Sequence, residues 1–70
     1  MEKELEIKVN GSVERIPAGR TLSWLIAFFD ENDANLIVER NGAFIYPQQY
    51  GAVVLQEGDT VEFINPDFGG

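Results

Sequence analysis

The chain has 70 residues, with 5 Lys+Arg against 12 Asp+Glu, a net charge of −7, and neither Cys nor His. Such a length fits one domain with a thin core, because a chain of this size buries only about 60% of the surface its unfolded form exposes. Disulfides, thiol chemistry and histidine-based catalysis or metal binding are excluded, and the acid surplus argues against nucleic acid or an anionic membrane surface as partner.

In chain order, Leu5, Ile7 and Val9 alternate with Glu4, Glu6 and Lys8. Period two over six residues predicts a strand with one wet face. Asn10-Gly11 follows as a hairpin turn, since both central residues of a type I′ turn need positive φ. Val13 to Ile16 is the expected return strand. Its two apolar residues are three apart, which predicts a bulge or a strand end, and Pro17-Ala18-Gly19 stops it. Thr21 is a candidate N-cap for a helix over 22–30, where Leu22, Leu25, Ile26 and Phe29 share one face. Trp24 and Phe28 lie on a flank of that helix. Asp30, Glu31 and Asp33 then mark its end and a polar loop. Leu36 to Val38, with Glu39-Arg40 behind, reads as a short strand. Asn41-Gly42 is a second I′ turn, and Ala43 to Tyr46 is its partner strand, ended by Pro47. Residues 48–55 read as a loop or single helical turn with apolar anchors. Glu57-Gly58-Asp59 turns the chain into a last strand, Thr60 to Ile64, with Val61 and Phe63 on one face.

Two hairpins, one helix between them and a final strand form an α+β layer. The first strand is the best candidate for the sheet centre, with the last returning parallel beside it. That arrangement is the β-grasp, or ubiquitin-like, fold: a mixed sheet of four to five strands with one main helix across one face. Residues 1–66 form the domain, and 67–70 are a flexible tail ending in Gly-Gly. A hydrophobic content of 44% is that of a folded domain. No run is long enough for a bilayer, and Met-Glu-Lys-Glu is no secretory signal, so a cytoplasmic location is expected.

Enzyme motifs fail one by one. Ser12 and Ser23 are the only serines and have no histidine to activate them. No phosphate-binding glycine loop is present. Asp30-Glu31-Asn32-Asp33 does not continue as a calcium loop, because Ala34, Asn35 and Asn41 stand where a ligand, a glycine and a glutamate are required. Scattered carboxylates read as a solvated face. The diglycine, Gly69-Gly70, is different. Lacking Cβ atoms, it can thread a narrow channel in extended form and present a main-chain carboxylate to another protein.

With these features in view, the sequence resembles the ubiquitin-like sulfur carriers of the ThiS and MoaD type, closest to ThiS. The resemblance runs along nearly the whole chain. It rests on Lys8-Val9-Asn10-Gly11, Pro17-Ala18-Gly19-Arg20-Thr21-Leu22, Ile37 to Gly42, Glu57 to Glu62 and the terminal diglycine. It implies a protein cosubstrate rather than an enzyme. A ubiquitin-activating-type enzyme would use ATP to adenylate the Gly70 carboxylate, and a sulfur donor would convert it to a thiocarboxylate. A thiazole synthase or another sulfur acceptor would then take the sulfur. No cofactor is implied on the chain itself. Gly69 and Phe68 would carry tail recognition. The tail departs from the family in Asn65-Pro66-Asp67-Phe68, where small or aliphatic residues are usual.

Ile64 and Asp67 are the expected partner surface, since Ile64 points away from the face of Val61 and Phe63. Trp24 and Phe28 are expected under the loop 47–55. A charge of −7 favours basic partner surfaces. Three functions compete. One is a sulfur carrier, for thiamine or alternatively for molybdopterin, cysteine or homocysteine synthesis. The second is a ubiquitin-type modifier. The third is a β-grasp binding module with an inert tail.

Overall fold

A computed structural model describes residues 3–31 and 33–66. Among these residues are five strands and one α-helix: β1 (Glu4–Val9), β2 (Ser12–Pro17), α1 (Leu22–Phe28), β3 (Ile37–Arg40), β4 (Ala43–Ile45) and β5 (Thr60–Ile64). A 3₁₀ turn, Pro47–Gln49, lies between β4 and β5. The strands form one mixed sheet in the order β2-β1-β5-β3-β4, with β1 and β5 parallel and every other pair antiparallel. This is the expected β-grasp. The centre is corrected: β5, not β1, is the middle strand. Both hairpins pair on their free side with β5, so the strand formed last in the chain closes the sheet between them.

The expected bulge in β2 is absent. Its register runs unbroken from Glu4 opposite Pro17 to Val9 opposite Ser12. Ile16 is buried and Val13 is 56% exposed. The two apolar residues therefore occupy opposite faces of a regular strand. Helix α1 starts where expected, with the Thr21 hydroxyl accepting from the Trp24 amide at 3.2 Å. It stops two residues early. Asp30 takes φ +57°, its amide donates to Ala27 O, and the Glu31 amide donates to Ile26 O. That pair of bonds is a Schellman termination, usually built on glycine and here on aspartate.

Ile7, Val9, Ile16, Leu22, Leu25, Val38, Leu55, Val61 and Phe63 form the buried core. The segment after the 3₁₀ turn is stitched to the start of α1 by main-chain bonds from Leu22 to Val53, Ser23 to Tyr50 and Leu55 to Arg20. Those bonds hold Leu55 in the core, 1% exposed. They also correct the expected cover over the helix flank. Trp24 is half-buried, but Phe28 is 62% exposed. The loop is tied at Arg20–Ser23, and Phe28 lies one turn beyond Trp24, about 6 Å along the axis and out of its reach. What Phe28 meets instead is Trp24 itself, stacked at 4.9 Å between centroids.

Candidate functional site

The candidate site lies on β5 and on the open face around it. Alternation sends Val61 and Phe63 into the core and Thr60, Glu62 and Ile64 outward. Ile64 is 37% exposed and sits opposite Ile37 of β3. Its expected outward position is therefore met. Asp67, Phe68, Gly69 and Gly70 lie outside the described residues. Just past β5, the Asn65 side-chain amide donates to the Glu31 carboxylate at 3.3 Å.

The register adds residues that no single strand reveals. Glu39 of β3 stands between Glu62 of β5 and Phe44 of β4. Two glutamates thus face each other directly across an antiparallel pair, an arrangement that costs stability. Phe44 is 46% exposed, and Tyr46 just past β4 is 59% exposed. Their rings meet edge to face at 4.7 Å. The open face therefore carries an aromatic pair at β4, Ile64 opposite Ile37 at the end of β5, and the Glu39–Glu62 pair on the strands between. Aromatic residues of this kind are enriched where proteins bind one another. The sequence signal for Glu62 was its place between Val61 and Phe63, whereas Ala43 to Tyr46 has no polar alternation to mark Phe44, and which residues become neighbours depends on the register.

Strand β5 is gripped from both sides by the two turn asparagines. Asn10 Oδ1 accepts from the Phe63 amide at 2.8 Å, and the Asn10 amide donates to Val61 O. Asn41 Oδ1 accepts from the Thr60 amide at 2.8 Å, and the Asn41 amide donates to Thr60 O. Next to Thr60 is the buried Asp59, 5% exposed. Its carboxylate accepts from Arg40 Nε at 2.9 Å, Asn41 Nδ2 at 3.0 Å and the Gln56 amide at 2.9 Å. Burial by itself pushes this carboxyl up. The bonds from Asn41, Gln56 and Arg40, with the charge of Arg40, outweigh it and hold Asp59 below its ordinary value. In the sequence, Glu57-Gly58-Asp59 carries only the signal of a turn.

A shallow cleft of about 170 Å³ lies between β1 and this turn. It is smaller than ordinary ligand pockets, and main-chain donors along it are already used: Glu6 N by the Glu57 carboxylate, Gly58 N by Glu6 O, Lys8 N by Asp59 O. Among the described residues there is no group of three or more acidic side chains arranged to hold a metal ion. No helix among them is long and apolar enough to cross a membrane.

The sequence model of the ThiS family matches residues 4–70. The chain belongs to the ThiS family. A crystal structure of the thiamine biosynthesis protein ThiS from Geobacter metallireducens superposes with a TM-score of 0.81 at 25% identity, covering 94% of this chain and all of that one. A thiazole synthase from Magnetococcus marinus is 38% identical over 66 residues, which is 94% of this chain but 20% of that protein. The chain thus spans about a fifth of that relative's length. The ThiS match extends through Gly69 and Gly70, beyond the described part of the fold.

Proposed function

We propose that this ThiS-family chain is a sulfur carrier for thiamine biosynthesis, and that its reactive group is the main-chain carboxylate of Gly70. The family match running through residue 70 carries this reading. A carboxylate is a poor electrophile. An ATP-dependent activating enzyme of the ubiquitin-activating type would join it to AMP, releasing pyrophosphate. The resulting mixed anhydride has a good leaving group, so the outer sulfur of a persulfide donor displaces AMP to form an acyl disulfide, and a second thiol then attacks the donor's sulfur, breaks the S–S bond, ends in a disulfide with the donor and frees the thiocarboxylate. Glycine at the reacting carbonyl leaves the approach unhindered. The chain serves as a cosubstrate, and ATP is consumed by the enzyme that acts on it.

The relative named thiazole synthase supports the destination, because a stretch like this chain forms a fifth of its length. Carrier and acceptor joined in one polypeptide is the arrangement expected of two partners in sulfur transfer. The open face beside Ile64, with Phe44 and Tyr46, is where a partner would seat the domain while Asp67, Phe68 and Gly69 lead the carboxylate into its active site.

Intact mass spectrometry tests the reading. After incubation with ATP, an activating enzyme and a sulfur donor, the chain should gain about 16 Da, one sulfur for one oxygen. Addition of a thiazole synthase with its small-molecule substrates should then remove that gain. No gain, or an equal gain in a chain lacking Gly70, would refute the proposal.

A further inference from the structure

The two Asn-Gly pairs occupy turns of one geometry: φ is +51° and +85° at Asn10-Gly11, and +54° and +84° at Asn41-Gly42. In Asn-Gly the backbone can attack the preceding side chain, because glycine has no Cβ to block the approach. The glycine nitrogen gives its proton to solvent base and bonds to the asparagine Cγ. The Cγ–Nδ2 bond breaks and ammonia leaves. Water then opens the cyclic imide to aspartate, or to isoaspartate with the chain rerouted through the side-chain carbon. The net reaction is amide plus water to carboxylic acid plus ammonia, a gain of about 1 Da.

Both turns are exposed to water, but their asparagines do different work. Asn10 takes a bond from the Phe63 amide through its oxygen. A carboxylate accepts that bond at least as well. Asn41 is held at both ends: its oxygen by the Thr60 amide, its nitrogen by the buried Asp59 carboxylate at 3.0 Å. Deamidation there replaces a donor with a second carboxylate oxygen, facing Asp59 at hydrogen-bonding distance. Arg40, 2.9 Å from the other Asp59 oxygen, can balance one carboxylate but not two.

We propose that Asn41 is a deamidation site whose conversion unlatches the start of β5, while the aspartate form at position 10 leaves the fold intact. This stands apart from the sulfur-carrier reading. The two bonds on the Asn41 amide slow its conversion, so Asn10 reacts first.

The test ages the full chain in warm, mildly alkaline buffer and follows both sites by peptide mass. Both should gain mass, Asn10 earlier, and hydrogen-exchange protection of the Thr60 amide should fall with conversion of Asn41 and not with conversion of Asn10 to aspartate, which chromatography separates from its isoaspartate isomer. In parallel, N41D should lower Tm by about 8 °C and N10D by no more than about 2 °C. The swap N41D/D59N, which returns one amide and one carboxylate to the contact, should recover at least half of the N41D loss. An N41D chain that fails to fold where N10D folds supports the proposal equally. An unmodified Asn41 after a free Asn-Gly peptide has reacted fully would overturn it. So would equal Tm values for N41D and N10D.

Discussion

Under α1, the sheet presents Ile7, Val9, Val38, Val61 and Phe63, closed over by Leu22 and Leu25, all of them 7% exposed or less. The opposite face of the same strands carries Glu6, Lys8, Glu39 and Glu62, with Phe44 and Ile64 left in water. The contrast comes from one backbone, since neighbouring residues of a strand point to opposite sides. What differs is what each face is packed against. The closed face removes apolar area from water. The open face keeps two like charges side by side, which costs stability, and leaves much of an aromatic pair in water. A surface that gives up stability in this way fits a docking role.

The sharpest way to break that contrast is in the closed face. Leu25→Ala removes a side chain that is 0% exposed and should cost about 3 kcal/mol, measured by urea unfolding. In a core this thin, such a loss should leave a substantial unfolded fraction near body temperature.

A smaller effect is expected at the rim between the faces. Asp59→Asn leaves the Arg40 guanidinium without its carboxylate and should cost about 2 kcal/mol at neutral pH. The pH dependence gives the sign. The Asp59 carboxyl is held below its ordinary value of 3.8. Its contribution is therefore complete above that pH and is lost as pH falls through the lowered folded value. The stability gap between the parent chain and Asp59→Asn should close on acidification. A gap that persists unchanged in strong acid would mean that packing, rather than the charge of Asp59, sets the loss.

The smallest effect should have the opposite sign. Glu62→Gln relieves the contact with Glu39 and should stabilise by about 0.3 kcal/mol at low salt, fading as salt rises. If the open face is a docking surface for basic partners, the same change should slow association with an activating enzyme even as it raises Tm. A variant that gains stability with no change in association rate would reduce Glu62 to a solvated charge.

Much of the fold was legible because local rules agreed with one another. The alternation in β1 and β5, the Thr21 cap and the two Asn-Gly turns each named an element that the structure contains. The differences have separate causes. Spacing alone suggested a bulge between Val13 and Ile16, yet pairing along all of β1 holds β2 regular. Aspartate at position 30 gave no hint of the left-handed conformation that ends α1, because glycine is the usual signal there. Phe28 was expected under the loop, but the loop's hydrogen bonds run to the start of the helix. In the candidate site, Ile64 could be placed outward from its own strand. Its neighbour could not, since Ile37 reaches it only through the pairing of β3 with β5.

By itself, the sequence of 70 residues with 12 acids and no Cys or His determined where the two Asn-Gly turns and the helix cap lie, and which residues of β1 and β5 face the core. Periodicity and turn chemistry are local properties, so they survive in one dimension. Only the tertiary structure decided that β5 lies at the centre, that Glu39 meets Glu62, and that Asn10 and Asn41 grip one strand while Asp59 is buried against Arg40. Those facts depend on which distant segments pair and in what register, and register is set by the packed sheet as a whole.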